Sequence, residues 1–254
     1  MSGGHAHALH LHGHSPLHRL APEVKIAAML GGLLAIVLTP REQFWAFGVY
    51  GLAVIGLLGV GEIPLGFYLR RVVVEVPFVA FAAFLPFLGS DPTTAVGPLD
   101  LSIEGSWAAW NILAKATLGV SMSVVLAATT EIPDILRGME RLRVPGLMIA
   151  IAGFMIRYLD VVTSELQRSR VAMIARGHDA RWLWQARPLA TSAGAMFIRA
   201  YERGERIHQA MLARGFTGTM PAIAASRVGP PHWVMAAGFV AAMWSVLLSA
   251  VVFA

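Results

Sequence analysis

The sequence has no cysteine and only two lysines, Lys25 and Lys115, although 20 of its 254 residues are basic. The first absence excludes a disulfide framework and a thiolate-ligated metal site. The second excludes a phosphate-binding G-x-x-x-x-G-K-[ST] loop, because neither lysine follows a glycine-rich turn. If the protein's work consumes ATP, another chain hydrolyses it. A serine elbow, an H-E-x-x-H pair and paired intramembrane carboxylates are also missing, so no enzymatic chemistry is expected. Charge is scarce: 14% of residues are charged, against roughly 25% in an ordinary soluble domain. The N-terminal stretch MSGGHAHALHLHGHSPLHRL contains no apolar h-region and predicts no cleavable signal peptide.

What is present is apolar length. Hydrophobic residues make up 56% of the chain and the mean hydropathy is +0.63. A spanning helix needs roughly 20 mostly apolar residues, and five stretches approach or meet this: 22–39, 43–61, 72–89, 107–130 and 232–253. Pro40-Arg41-Glu42 separates the first two, and Gly61-Glu62-Ile63-Pro64 opens a connection that ends in Arg70-Arg71. The second stretch carries Gly48, Gly51, Gly56 and Gly59, within about 140° of one helical face. Such a face admits a close neighbouring helix, and ordinary packing accounts for it.

The net charge of +5 does not indicate nucleic acid, because the basic residues interrupt hydrophobic helices instead of forming a polar stripe. Most of the arginines fall between Arg137 and Arg227, whereas 90–106 holds Asp91, Asp100 and Glu104 without a single basic residue. The positive-inside rule then places Arg70-Arg71 and 131–231 in the cytoplasm, 90–106 outside, the N-terminus inside and the C-terminus outside. The predicted organisation is a His-rich tail (1–19), four transmembrane helices (20–130), a cytoplasmic or interfacial helical region (131–231) and a last transmembrane helix (232–254).

Within 131–231, Thr130-Glu131-Ile132-Pro133 has the early acid and early proline of a helix start. The short helix from Asp134 to Arg143 should end before Pro145. A periodic segment then runs from Gly146 to Arg176. Its first 11 residues are apolar or glycine before Arg157 and Asp160 intervene, which predicts an interfacial rather than a spanning helix. The segment after Pro188 repeats the design, apolar from Leu189 to Ile198 and then charged at Arg199, Glu202, Arg203, Glu205 and Arg206.

Both segments close on one pattern. Met173-Ile174-Ala175-Arg176-Gly177 returns as Met211-Leu212-Ala213-Arg214-Gly215, and Arg168 and Arg206 occupy equivalent positions upstream. Gly177 and Gly215 suit the left-handed residue after a helix. Capping alone, however, requires neither the Met, the small residue before the arginine, nor the upstream arginine. Ala and Gly leave room around a guanidinium whose planar fork can pair with a carboxylate on a partner.

These features resemble the transmembrane T component of energy-coupling factor (ECF) transporters, in particular the cobalt-transport type, CbiQ. The likeness runs in order through Leu20-Ala21-Pro22-Glu23-Val24-Lys25, Glu131-Ile132-Pro133, Glu140-Arg141-Leu142-Arg143-Val144-Pro145, Arg157-Tyr158-Leu159 and both Ala-Arg-Gly triplets, Ala175-Arg176-Gly177 and Ala213-Arg214-Gly215. The resemblance implies an all-α multipass membrane protein with about five transmembrane helices and a three-helix coupling region. Each triplet would end a helix docking into one subunit of an ATPase dimer, with Arg168, Met173, Arg206 and Met211 in support. The same helices would hold a separate substrate-binding membrane subunit, with a small accessory membrane subunit as a further partner. No cofactor is implied for this chain: ATP and Mg²⁺ belong to the partners, and Co²⁺ or Ni²⁺ is the cargo. A bacterial inner membrane is the expected location, with lipid but no nucleic acid as a partner. A T component serving vitamins is the nearest alternative.

His5, His7, His10, His12, His14 and His18 crowd the N-terminus. Alternating imidazoles can ligate Co²⁺, Ni²⁺, Cu²⁺ or Zn²⁺, which makes the first five candidate metal ligands and tips the cargo from vitamins to cobalt or nickel. A solvated tail is the plainer reading. His178-Asp179 reads as loop polarity. Glu75 and Lys115, inside predicted spans, should be satisfied between helices or at an interface. A self-sufficient channel or secondary transporter would need a polar lining along several spans, whereas here the charges are gathered in one block.

Overall fold

The computed structural model describes residues 11, 13, 15–88, 93–96, 99–177, 187–217 and 229–253. In chain order these form helices α1 (Pro16–Arg19), α2 (Pro22–Leu38), α3 (Phe44–Val60) and α4 (Leu65–Val72), a 3-10 turn (Val73–Glu75), α5 (Val76–Leu88), strands β1 (Thr93–Val96) and β2 (Leu99–Ser102), and helices α6 (Ile103–Thr129), α7 (Ile132–Arg141), α8 (Gly146–Ala175), α9 (Arg187–Ala213) and α10 (Pro230–Val252). Proline within the first two positions of α1, α2, α7 and α10 explains several starts: its fixed φ suits the first turn, where no N–H partner is needed. The chain is an α-helical multipass membrane protein. Among the described residues three helices, α6, α8 and α10, are long and apolar enough to cross a bilayer by length and composition, and α3 is a shorter apolar helix.

The chain divides into two units. One contains the described residues of 7–142 and 226–254, the other those of 143–225. In the larger unit, Ala35, Ile36, Tyr50, Val54, Leu118, Met122, Met243, Leu247 and Ala250 form a core drawn from α2, α3, α6 and α10. Tyr50 is fully buried, and its hydroxyl lies 3.1 Å from Thr39 Oγ1 while donating to the Met243 carbonyl at 3.3 Å. Around this core, Leu52, Ile55, Phe84, Val234 and Leu248 are exposed, as lipid-facing residues must be when no water drives them inward.

Cross-links sort the helix termini of this unit into two ends. At one, the Lys25 ammonium donates to the Thr129 carbonyl (2.7 Å) and to Thr130 Oγ1 (3.0 Å), and Arg141 pairs with the buried Glu23. At the other, Gln43 donates to the Phe253 carbonyl (3.3 Å), and the Phe44 ring stands 5.3 Å from Trp107 and 5.1 Å from Trp110. The aromatic end also carries the antiparallel β1–β2 ribbon, paired from Thr93↔Ser102 to Val96↔Leu99. Nothing in the sequence pattern of 90–106 announced this ribbon. Ser102 ends it and begins α6, accepting a hydrogen bond from Gly105 N at 3.2 Å.

The glycine stripe of α3 is not where the helices touch. A Cβ added at Gly48, Gly51, Gly56 or Gly59 would meet nothing within 4 Å, whereas one at Gly105 would run into the Leu85 carbonyl and one at Gly138 would lie 2.9 Å from Glu23 N. The core face of α3 is Ala46, Phe47, Tyr50 and Val54, a different stripe of the same helix. Glu75 and Lys115 are satisfied by partners: Thr117 donates to the Glu75 carboxylate, and Lys115 donates to the Val37 carbonyl at 2.7 Å.

Candidate coupling site

α8 is continuous from Gly146 to Ala175, and α9 from Arg187 to Ala213. They meet through one acid. Glu165 on α8 accepts from Arg199 Nε at 2.6 Å and lies 3.7 Å from Arg203 Nη2, both on α9. Along the same contact, Phe154, Tyr158 and Val162 face Ala200, Gly204, Ile207 and Met211 across a cleft of about 340 Å³. Residues late in α8 therefore meet residues early in α9, and earlier ones meet later ones, so the helices run in opposite senses where they touch. Arg176 lies about 16 Å beyond Glu165, and Arg214 about 22 Å beyond Arg199 in the other direction, at 1.5 Å per residue. The two repeated ends thus leave the crossing on opposite sides.

Each end closes in the same way. Gly177 and Gly215 have φ of +77° and +83°, the left-handed conformation that glycine adopts without steric penalty. Gly177 N donates to the Ile174 carbonyl at 2.9 Å and Gly215 N to Leu212 at 3.0 Å. In the second copy Phe216 N reaches back to the Met211 carbonyl at 3.0 Å, the longer of the two bonds of a Schellman ending. Ala175, Arg176, Ala213 and Arg214 are exposed, while Met173 and Met211 are half-buried. Of the two upstream arginines, both exposed, Arg206 lies 3.9 Å from Glu202 one turn earlier. Two equivalent tips result, each with a cation between small residues.

The sequence reading named the tips but missed Glu165. Its contacts with Arg199 and Arg203 join residues more than thirty positions apart, and no local pattern marks an acid for a partner on another helix. The candidate ligands His5, His7, His10, His12 and His14, and the loop pair His178-Asp179, lie outside the described residues. His18 is engaged in folding: its ring nitrogens contact Ser15 Oγ (2.7 Å) and the Leu11 carbonyl (3.0 Å), and Leu11 N donates to the Ala128 carbonyl at 3.0 Å. Among the described residues there is no group of three or more His, Asp or Glu able to hold a metal ion.

The described residues are those of a helical membrane protein with two equivalent, exposed helix ends. Comparison with known sequences gives the family. Residues 13–223 match the family model described as cobalt transport protein, CbiQ, and the chain belongs to that family. It is similar to the cobalt transport protein CbiQ of Rhodobacter capsulatus, with 27% identity over 173 residues, 67% of this chain and 68% of the relative. It is similar also to the energy-coupling factor transporter transmembrane protein EcfT of Bacillus selenitireducens, with 26% identity over 223 residues and 81% of each chain covered. An uncharacterized protein of Methanocaldococcus jannaschii matches at 25% over 213 residues, 80% of this chain and 72% of its own length. The chain is accordingly an ECF transporter T component of the CbiQ type.

Proposed function

We propose that this chain is a non-catalytic scaffold that couples an ATPase dimer to a separate substrate-binding membrane subunit during uptake of Co²⁺ or Ni²⁺. The observation that carries the reading is the pair of equivalent tips, Ala175-Arg176-Gly177 and Ala213-Arg214-Gly215, leaving one helix crossing on opposite sides. A two-fold partner offers two equivalent sockets, and a carboxylate in each would pair with the fork of Arg176 or Arg214. When the dimer closes, the sockets move relative to one another. Rigid helices joined through Glu165, Arg199 and Arg203 transmit that movement to their apolar beginnings, where the substrate subunit would sit. Met173, Met211, Arg168 and Arg206 support the docked ends. Hydrolysis of ATP, with its Mg²⁺, belongs to the partner ATPases.

We place the Lys25 end of the larger unit, with Arg70, Arg71, Arg137 and Arg141, in the cytoplasm, and the aromatic end outside, by the positive-inside rule. Trp107, Trp110 and Phe44 then form part of an outer aromatic belt. Although α8 is long and apolar enough to cross a bilayer, we place α8 and α9 against the inner face because each turns from apolar to charged along its length, and the bacterial inner membrane is the proposed location. The cobalt assignment rests on the family and on the His-rich tail, which in the cytoplasm would receive or buffer metal after passage. A vitamin-serving role is the second reading, and relatives named EcfT match as much as 82% of this chain.

The test is to co-express the chain with its ATPase and substrate subunits and to measure ATP-dependent cobalt and nickel uptake. Arg176→Glu or Arg214→Glu should abolish uptake while the chain stays membrane-inserted, and the double change should release the ATPases. Full transport by the double variant refutes the docking role. Intact vitamin uptake without metal uptake would favour the second reading.

A further inference from the structure

α4 is tethered between α3 and α5 and presents two different sides. At about 100° per residue, Tyr68, Val72, Leu65 and Leu69 share one arc, and Gly66, Arg70, Phe67 and Arg71 share another of about 140°. The roll of the helix is fixed, because Tyr68 Oη lies 2.8 Å from Ser121 Oγ on α6. Leu65 and Leu69 are left at the margin of that side, exposed to 69% and 55%. On the other side the Arg71 guanidinium stacks 4.2 Å from the Phe67 ring centre. Beside it, Gly66, Phe67, Arg70 and Arg71 line an open concavity of about 600 Å³. A Cβ at Gly66 would meet nothing within 4 Å there.

We propose that this concavity seats the headgroup of an anionic phospholipid in the leaflet on which α4 lies. The phosphodiester would lie over Gly66, where the absent side chain lets it approach, facing the guanidinium groups of Arg70 and Arg71. Leu65 and Leu69, with the exposed Val73 and Val74 that follow, meet the acyl chains. Complementing the helix dipole explains two cations in a last turn, but not the open space at Gly66 or the exposed leucines alongside. Those leucines, and the anchoring of α4 between membrane helices, make the occupant a lipid rather than a free phosphate ion. Neither arginine has a part in the coupling tips.

The full chain is reconstituted into nanodiscs containing phosphatidylcholine and phosphatidylglycerol, then released, and its retained lipids are counted by native mass spectrometry. Phosphatidylglycerol should be enriched over phosphatidylcholine by about fivefold per arginine. Arg70→Gln with Arg71→Gln should remove the enrichment. Gly66→Leu, which keeps both charges but fills the seat, should lower it severalfold, and this variant decides the matter if the double change fails to insert. Equal retention of the two lipids by the native chain, or unchanged enrichment in Gly66→Leu, overturns the proposal. Loss of the retained lipid to added inorganic phosphate would show a free-anion site and overturn it too.

Discussion

Lys25 and Lys115, the only two lysines in the chain, close each other's helices. Lys25 on α2 donates to the carbonyl of Thr129, the last residue of α6, and Lys115 on α6 donates to the Val37 carbonyl in the last turn of α2, each at 2.7 Å. The last carbonyls of a helix have no partner of their own, and within a bilayer an unsatisfied one is expensive. A cation at the negative end of the helix dipole answers both needs. The reciprocity also shows that α2 and α6 run antiparallel, which is why each lysine meets the other helix's end.

Replacing Lys25 by Met keeps the stem and removes three donors. The Thr129 carbonyl and Thr130 hydroxyl lose their partner, and the chain should lose about 1–3 kcal/mol, read as a lower thermal midpoint in detergent. Lys115→Met, at a more exposed site, should shift the midpoint less. Equal shifts would contradict the burial difference.

Arg141 and Glu23 hold α7 against the start of α2. Glu23 is 4% exposed, so Arg141→Met leaves a buried carboxylate without its cation and should cost roughly 3 kcal/mol. Adding Glu23→Leu should recover most of that loss, because no lone charge is then buried. At the same contact, Gly138→Ala puts a Cβ 3.0 Å from the Pro22 carbonyl carbon and should cost about 1–3 kcal/mol. A double variant no more stable than Arg141→Met would show that packing, and not charge pairing, sets the value of this contact.

Gly177 and Gly215 hold left-handed conformations, which an L side chain adopts at roughly 1–2 kcal/mol. Gly177→Ala with Gly215→Ala should loosen both tips and reduce co-purification of the ATPases, while Asn at both positions, more tolerant of this conformation, should retain more. If Ala and Asn behave alike, the partner does not read the shape of the helix ending.

Glu165→Arg should separate α8 from α9 by setting like charges against Arg199 and Arg203. The natural absence of cysteine allows a direct readout: cysteines introduced at Val162 and Ala200, on opposite walls of one cleft, should cross-link with a short bifunctional reagent. Glu165→Arg should slow that reaction and Arg199→Glu added to it should restore it in part. Unchanged cross-linking would mean that apolar contacts alone hold the pair.

The sequence by itself determined the membrane class, the extent of α8 to within one residue, and the existence of two equivalent glycine-closed ends. These follow from hydropathy length, periodicity and local backbone preference, all carried by neighbours along the chain. Tertiary structure alone decided which side of α3 is packed, that Glu165 joins α8 to α9, that Glu23 takes Arg141, and that each lysine serves the other's helix. Such contacts join residues tens of positions apart. In an apolar chain almost any face is greasy enough to pack, so the selection falls to shape and to the few polar groups that must find partners, neither of which leaves a periodic mark.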